Sequence, residues 1–312
     1  MRILVTGGFG NVGSHTLPEL RRRGHDVRCV SLPGTAERRL ARRLPVECVW
    51  GDISDRDVML RAVSDVDVVV HLAAMIPPGA DEQPVRARVS NVDGTAAVIA
   101  ACQAQPVPPK LLFTSTLDVH GNTLGNPPPR HIDDPLVPTN PYTEHKIECE
   151  RLVRESGLDW AIFRLADVPV LGVRAPHPIM FEIGLDNRIE AVHADDVGLA
   201  IANALETPAV WGRVLFIGGG PSCQLTYRDY LTRMLGAMGI AALPEKAFST
   251  AEYATDWLDT VDSEALLHYQ RHTFDDISAA LSRSLGWRRR AAGLGGPLVR
   301  LMLLRLSAYY RR

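Results

Sequence analysis

Three stretches of this 312-residue chain have the residue types and spacing to do chemistry. In Tyr142-Thr143-Glu144-His145-Lys146, helical i, i+4 spacing would set a phenol and an ammonium on one face, a turn apart. A tyrosine with its ordinary pKa of about 10 trades a proton with an alcohol or ketone near neutrality only when its phenolate is favoured, and a nearby cation does that. A lowered Tyr142 pKa is therefore expected. In Phe113-Thr114-Ser115-Thr116, hydroxyls gather at the end of an apolar run. In Arg2-Ile-Leu-Val-Thr6 an apolar run breaks into Gly7, Gly8, Gly10 and Gly13, then turns helical from Ser14. A backbone free of Cβ atoms can bring its N–H groups and the positive end of the next helix against a pyrophosphate.

Positioning these groups requires strands and helices in alternation. Strand patterns occur at 2–6, 26–31, 46–50, 66–73, 110–114 and 160–165, and helical ones at 14–23, 91–104 and 142–156. That order predicts an α/β fold with a doubly wound parallel sheet, whose ligands lie at the carboxyl ends of the strands. Residues 122–141 form a proline-dense loop close to the site.

Composition removes several alternatives. With 46% apolar and 22% charged residues the chain can bury a full core, and its net charge of −2 argues against a nucleic-acid partner. Cys29, Cys48, Cys102, Cys149 and Cys223 lack C-x-x-C spacing and read as buried, reduced thiols. No signal peptide is expected, because residues 2–6 run straight into the glycine turn. The expected compartment is the cytoplasm.

Taken together, these motifs resemble the extended short-chain dehydrogenase/reductases, the NAD-dependent epimerase/dehydratase family, over residues 1–275. Beyond the glycine turn the resemblance rests on Gly51-Asp52-Ile53, His71-Leu72-Ala73-Ala74, Asn91-Val92-Asp93-Gly94-Thr95, the Tyr142–Lys146 pair, Val192-His193-Ala194-Asp195-Asp196-Val197 and Phe216-Ile217-Gly218-Gly219-Gly220. It implies a Rossmann domain at 1–165, with 191–217 returning to it. A smaller substrate-binding lobe would comprise 166–190 and 218–290, with an amphipathic tail at 291–312.

The same resemblance assigns roles. Tyr142 would transfer the proton, Lys146 would tune it and hold the nicotinamide ribose, and Thr116 would orient the substrate oxygen. Cofactor contacts would come from Gly7, Phe9, Gly10, Asn11, Val12, Gly13, Asp52, Ile53, Leu72, Ala73, Ala74 and Asn91. Ser31 stands where NAD-specific members carry an acid, and with Arg38 and Arg39 downstream the cofactor is read as NAD or NADP. A homodimer is implied as well.

Departures from the family pattern narrow the substrate. Thr116-Leu117-Asp118 replaces the Thr-Asp-Glu of 4,6-dehydratases, and Leu117 cannot serve as an acid, so sugar dehydration is disfavoured. Asp167 stands where nucleotide-sugar enzymes place an asparagine, and only a short run separates Gly172 from Val192. Asp118, Asp167 and Arg188 are the candidate substrate contacts. The expected activity is oxidoreduction at a carbinol or carbonyl carbon of a small or hydrophobic molecule. An epimerase using the same residues, and a cofactor-binding regulator without turnover, are the alternatives.

Other features have simpler readings. His268 and His272 have metal-ligand spacing but no third ligand nearby, so no metal is expected. Asp195 and Asp196 are expected to cap the helix that begins at Val197. Residues 293–297 should break the chain before an apolar run at 298–310, too short to span a bilayer, with Arg311 and Arg312 beyond. That run is read as covering a second subunit, packing on its own domain or touching a membrane surface, with packing or subunit contact favoured.

Overall fold

A computed structural model describes residues 1–44, 46–172, 175–288 and 296–310. The elements run β1 (Arg2–Thr6), α1 (Gly13–Arg22), β2 (Asp26–Ser31), α2 (Thr35–Ala41), β3 (Glu47–Trp50), α3 (Arg56–Val63), β4 (Val68–His71), α4 (Gly79–Glu82), α5 (Pro84–Arg88) and α6 (Gly94–Gln103). They continue as β5 (Lys110–Thr116), α7 (Pro141–Glu155), β6 (Trp160–Leu165), β7 (Arg188–Glu190), α8 (Ala194–Leu205), β8 (Val214–Ile217), β9 (Gln224–Thr226), α9 (Tyr227–Ala237), α10 (Val261–Leu267), α11 (Phe274–Leu285) and α12 (Gly296–Leu306).

Seven of the nine strands among the described residues form one parallel sheet in the order β3-β2-β1-β4-β5-β6-β8. The order reverses beside β1, so the crevice between the carboxyl ends of β1 and β4 is the place where such sheets hold ligands. Alternation along the strands feeds two cores. Ile3, Val5, Val68, Val70 and Leu112 face one side, with Leu17 and Leu20 of α1 and Val197 and Ile201 of α8. Leu4, Val69, Leu111 and Phe113 face the other, with Met59 of α3, Val98 of α6 and Val153 of α7. Each of these fully buried aliphatic side chains contributes on the order of 1.5–3 kcal/mol.

β7 and β9 pair antiparallel in a separate two-stranded sheet. Phe181, Ile189, Tyr227, Leu231 and Phe248 make an apolar cluster there, onto which Leu303 and Leu304 of α12 pack. The run beginning at Leu298 thus folds back on its own chain; Gly293, Arg311 and Arg312 lie outside the described residues. Strand β5 extends two residues past the sequence expectation, to Thr116, because its edge pairs with β6 through Ser115↔Arg164 and Thr116↔Leu165. Four of the cysteines are buried; Cys48, on the short outer strand β3, is only half-buried, which corrects the uniform reading.

Candidate active site

The glycine turn is packed as closely as a backbone allows. Gly7 has φ +69°, and a Cβ there would lie 2.8 Å from the Ala73 nitrogen. A Cβ on Gly13 would sit 2.4 Å from the Gly7 carbonyl oxygen. Gly10 donates its N–H to that same oxygen at 2.9 Å, closing the turn. Asn11 Nδ2 donates to the Val168 carbonyl at 2.9 Å and ties the turn to the segment after β6.

The facing wall is fixed by a buried chain of hydrogen bonds that sequence reasoning missed. The Thr6 hydroxyl meets His71 Nδ1 at 2.7 Å and accepts from the Ala73 nitrogen at 3.2 Å. His71 Nε2 meets Thr95 Oγ1 at 3.0 Å, and Thr95 donates to the Asn91 carbonyl at 2.6 Å. Burial, with the Lys146 charge adding to it, pushes the His71 pKa down to about 3, so the ring is neutral and can bridge the two hydroxyls. The sequence signal was the His-Leu-Ala-Ala run itself, in which only the last three residues were assigned a role.

Two cavities share Gly7 and Ala74 and form one trough along the strand ends. The first, about 470 Å³, is lined by Gly10, Asn11, Val12, Gly13, Leu72, Thr116, Asp118, Tyr142, Lys146 and Asp167. The second, about 380 Å³, is lined by Ser31, Asp52, Ile53 and Ala73. A dinucleotide fits these residues. The Cβ-free cradle at the head of α1 suits a pyrophosphate, an apolar wall at Ile53 and Ala73 suits a base, and Tyr142 and Lys146 stand beyond the turn.

Tyr142, Lys146 and Thr116 meet in the first cavity. Asn140 and Thr143 form a capping box, Asn140 Oδ1 accepting the Thr143 N–H at 2.9 Å, and Pro141 occupies the first turn. This pins Tyr142 at the helix entrance. Lys146 Nζ donates to the Thr114 carbonyl at 2.8 Å and lies 5.9 Å from the Tyr142 ring centroid. Thr116 Oγ1 accepts from the Asp118 nitrogen at 3.3 Å and so caps the short 3-10 turn at Leu117–His120. The same hydroxyl favours the ionised forms of the Tyr142 phenol and the Asp118 carboxyl, but burial outweighs it at both.

Helix α7 is anchored by a buried ion pair. Arg164 Nε and Nη2 donate to the two Glu150 oxygens at 2.9 and 2.8 Å, and its Nη1 reaches His120 Nε2 at 3.1 Å and the Ile132 carbonyl at 3.0 Å. One guanidinium thereby joins β6, α7, the 3-10 turn and the proline-dense loop.

The electrostatics correct the expected tyrosine. Burial, reinforced by the Asp118 charge, pushes the Tyr142 phenol well above its ordinary pKa rather than below it. Burial also drives Lys146 down to about 8 and Asp118 up to about 7. Proximity in sequence does not overcome desolvation here, because the ammonium is spent on the Thr114 carbonyl. The phenol is therefore held protonated.

Several candidates fall elsewhere. Asn91 lines neither cavity; its amide clamps Met75, accepting from the nitrogen at 2.7 Å and donating to the carbonyl at 2.9 Å. Phe9 stacks on Trp50 at 6.0 Å and Arg38 covers the same ring at 5.0 Å, so neither reaches the second cavity; Glu37 and Arg86 do. Arg188 is consumed by Asp256, at 2.5 and 3.0 Å, and by the carbonyls of Thr123, Leu124 and Asn126. It is a fastener for the proline-dense loop and does not line the cavity. Asp167 does line it and accepts from the Tyr230 hydroxyl at 2.7 Å.

The helix cap is His193, whose Nδ1 accepts from the Asp195 nitrogen at 3.1 Å; neither Asp195 nor Asp196 caps it. Asp196 instead binds His272 Nδ1 at 2.6 Å, and His268 closes α10 in a left-handed conformation. His193, Asp195 and His272 do have possible ligand atoms within 4.8 Å of one another. The two rings stack at 4.2 Å and 19°, and each Nδ1 already has a partner, the Asp195 nitrogen for His193 and the Asp196 carboxylate for His272.

With this geometry established, comparison with known proteins identifies the class. The model of the NAD dependent epimerase/dehydratase family matches residues 3–179. The chain belongs to that family and is an enzyme of the extended short-chain dehydrogenase/reductase type. It is 30% identical over 269 residues to the 2-alkyl-3-oxoalkanoate reductase of Stenotrophomonas maltophilia, covering 80% of this chain and 79% of that one. It is 33% identical over 160 residues to the UDP-glucose 4-epimerase of Azospirillum brasilense, covering 50% of this chain and only 44% of that protein. The Bifidobacterium longum UDP-glucose 4-epimerase, solved with NAD+ and UDP, superposes with a TM-score of 0.77 at 21% identity, covering 94% of this chain and 100% of that one. Among the described residues no helix is long and apolar enough to cross a membrane.

Proposed function

We propose that the protein is an NAD- or NADP-dependent oxidoreductase that reduces a carbonyl carbon, or oxidises the corresponding carbinol, on a small hydrophobic substrate. One observation carries this reading: Thr116, Tyr142 and Lys146 converge in a cavity whose remaining walls include Ile76, Pro77, Val170, Ile179, Ile183 and Ile189. Arg188, one of the candidate substrate contacts, is tied to Asp256. The likeness to a 2-alkyl-3-oxoalkanoate reductase points the same way.

Gly7, Gly10, Asn11, Val12 and Gly13 would hold the pyrophosphate, and Ser31, Asp52, Ile53 and Ala73 the adenosine. A nicotinamide nucleotide bound there would supply or accept the hydride. Thr116 would hold the substrate oxygen, and the protonated Tyr142 would donate to that oxygen as negative charge develops on it. Lys146 would offset the phenolate left behind, and Asp118, which lines the same cavity beside Thr116, would contact the substrate near its reacting end. Tyr142 and Lys146 are buried, which limits the competition of water for the proton.

The alternative of epimerisation uses the same residues and would leave no net change in the cofactor. The retained Tyr142, Lys146 and Thr116 argue against a regulator without turnover. The free cysteines support a reducing compartment, read as the cytoplasm, and a homodimer is the assembly the family suggests. A panel of aliphatic ketones and UDP-sugars separates the readings. Substrate-dependent consumption of reduced cofactor supports oxidoreduction; interconversion of UDP-sugars without net cofactor change overturns it in favour of epimerisation.

A further inference from the structure

Helix α12 has apolar residues on both of its sides. Leu303 and Leu304 are buried against the cluster built on Phe181, Tyr227 and Phe248. Ser307 Oγ donates to the Ala247 carbonyl and Arg300 Nε to the Ala242 carbonyl, so the helix is fastened to the domain through that side. Leu298, Leu301 and Met302 nevertheless remain 64%, 48% and 58% exposed. With Arg305 they follow i, i+3, i+4, i+7 spacing, a single outward stripe on the face away from the core. An outward apolar stripe adds nothing to folding and costs solubility, so it signals something to cover it.

Charge says what that is. Residues 277–312 contain eight arginines and no aspartate, glutamate or lysine. Against a whole-chain net charge of −2, that leaves the preceding 276 residues at −10. Trp287, 75% exposed, belongs to the same basic segment, whereas Tyr309 and Tyr310 pack on the inner cluster. Arginines beside outward leucines and a tryptophan are the composition of helices that lie in the plane of an anionic bilayer. The apolar face enters the acyl boundary while the guanidinium groups reach phosphates. At 11 residues α12 spans only about 16 Å, enough to lie on a surface and too little to cross it.

We propose that the outer face of α12 is a docking surface for an anionic lipid membrane, attaching the enzyme peripherally. A second copy of this chain is the less favoured occupant, because two such faces would bring arginine-rich segments together. This inference is independent of the reaction assigned above.

The test is co-sedimentation of the full chain with vesicles of phosphatidylcholine alone or of phosphatidylcholine with phosphatidylglycerol. The expected result is partitioning at least about tenfold stronger onto the phosphatidylglycerol vesicles, weakened by salt as the charges are screened. The triple variant Leu298→Glu, Leu301→Glu, Met302→Glu should lose it while keeping the thermal midpoint and dinucleotide affinity of the parent. Equal partitioning onto both vesicle types overturns the proposal, as does unchanged binding by the variant. So does a dimer that the variant abolishes in a protein that never binds vesicles. Should the variant fail to fold, the lipid-charge and salt dependence of the unaltered chain decides the matter.

Discussion

Lys146 donates to the carbonyl of Thr114 at 2.8 Å, across the gap between α7 and the carboxyl end of β5. That bond fixes the ammonium beside the Tyr142 ring without giving it to the phenol, whose pKa burial drives upward. In the proposed reaction the pair would serve proton donation in the reductive direction.

Tyr142→Phe removes the proposed proton donor and little else, since the ring stays buried against Ala80 and Ala87. Turnover should fall by about 10²–10⁴-fold. Dinucleotide affinity, measured by fluorescence titration, should change less than about threefold, a span of under about 1 kcal/mol.

Gly13→Ala acts on the other half of the site. Its Cβ would press on backbone atoms, the Gly7 carbonyl oxygen at 2.4 Å and the Gly8 Cα at 2.5 Å, and neither can swing aside. The turn must open. Dinucleotide Kd should rise at least about tenfold, a loss of roughly 1.4 kcal/mol.

Asp118→Asn tests the buried carboxyl. Folding raises its pKa from 3.8 to about 7, chiefly through burial. Such an acid contributes most to stability below its unfolded pKa, and that contribution is lost as the pH rises through about 7. The neutral variant should therefore gain Tm over the parent at pH 8, on the order of 2–4 °C per kcal/mol recovered, and gain nothing near pH 3. Glu190, also raised to about 7, retains its own pH dependence in both proteins.

Arg188→Ala leaves the carboxylate of Asp256, which is 1% exposed, with Arg130 as its remaining guanidinium. It also frees the carbonyls of Thr123, Leu124 and Asn126. A loss of about 2–4 kcal/mol in stability is expected by denaturant unfolding. Dinucleotide affinity should hold under conditions where the variant is folded.

Much of this architecture was readable from local pattern. Val68 to Val70 alternate between the two cores, and Gly7 and Gly13 announce a turn that admits no Cβ, so strand positions and cradle follow from neighbours in the chain. The Tyr142–Lys146 spacing likewise survives folding, since a helix preserves it. Contacts between distant segments left no such trace. Asn91 holds Met75, Arg38 covers Trp50, Arg188 meets Asp256, and Arg164 meets Glu150 and His120; each pairing is decided by how the elements pack. The Tyr142 pKa went the opposite way from expectation for the same reason. Spacing reports the nearby cation, but only the packed fold reports the desolvation.

The central claim is that Tyr142 donates to a substrate oxygen while a pyridine nucleotide in the glycine-lined trough delivers hydride to the adjoining carbon. Incubating the enzyme with reduced cofactor deuterated at C4 and a panel of hydrophobic ketones, then weighing the alcohols by mass spectrometry, tests it directly. Deuterium is expected at the carbinol carbon with the parent enzyme and next to none with Tyr142→Phe. Equal label from both proteins would contradict it.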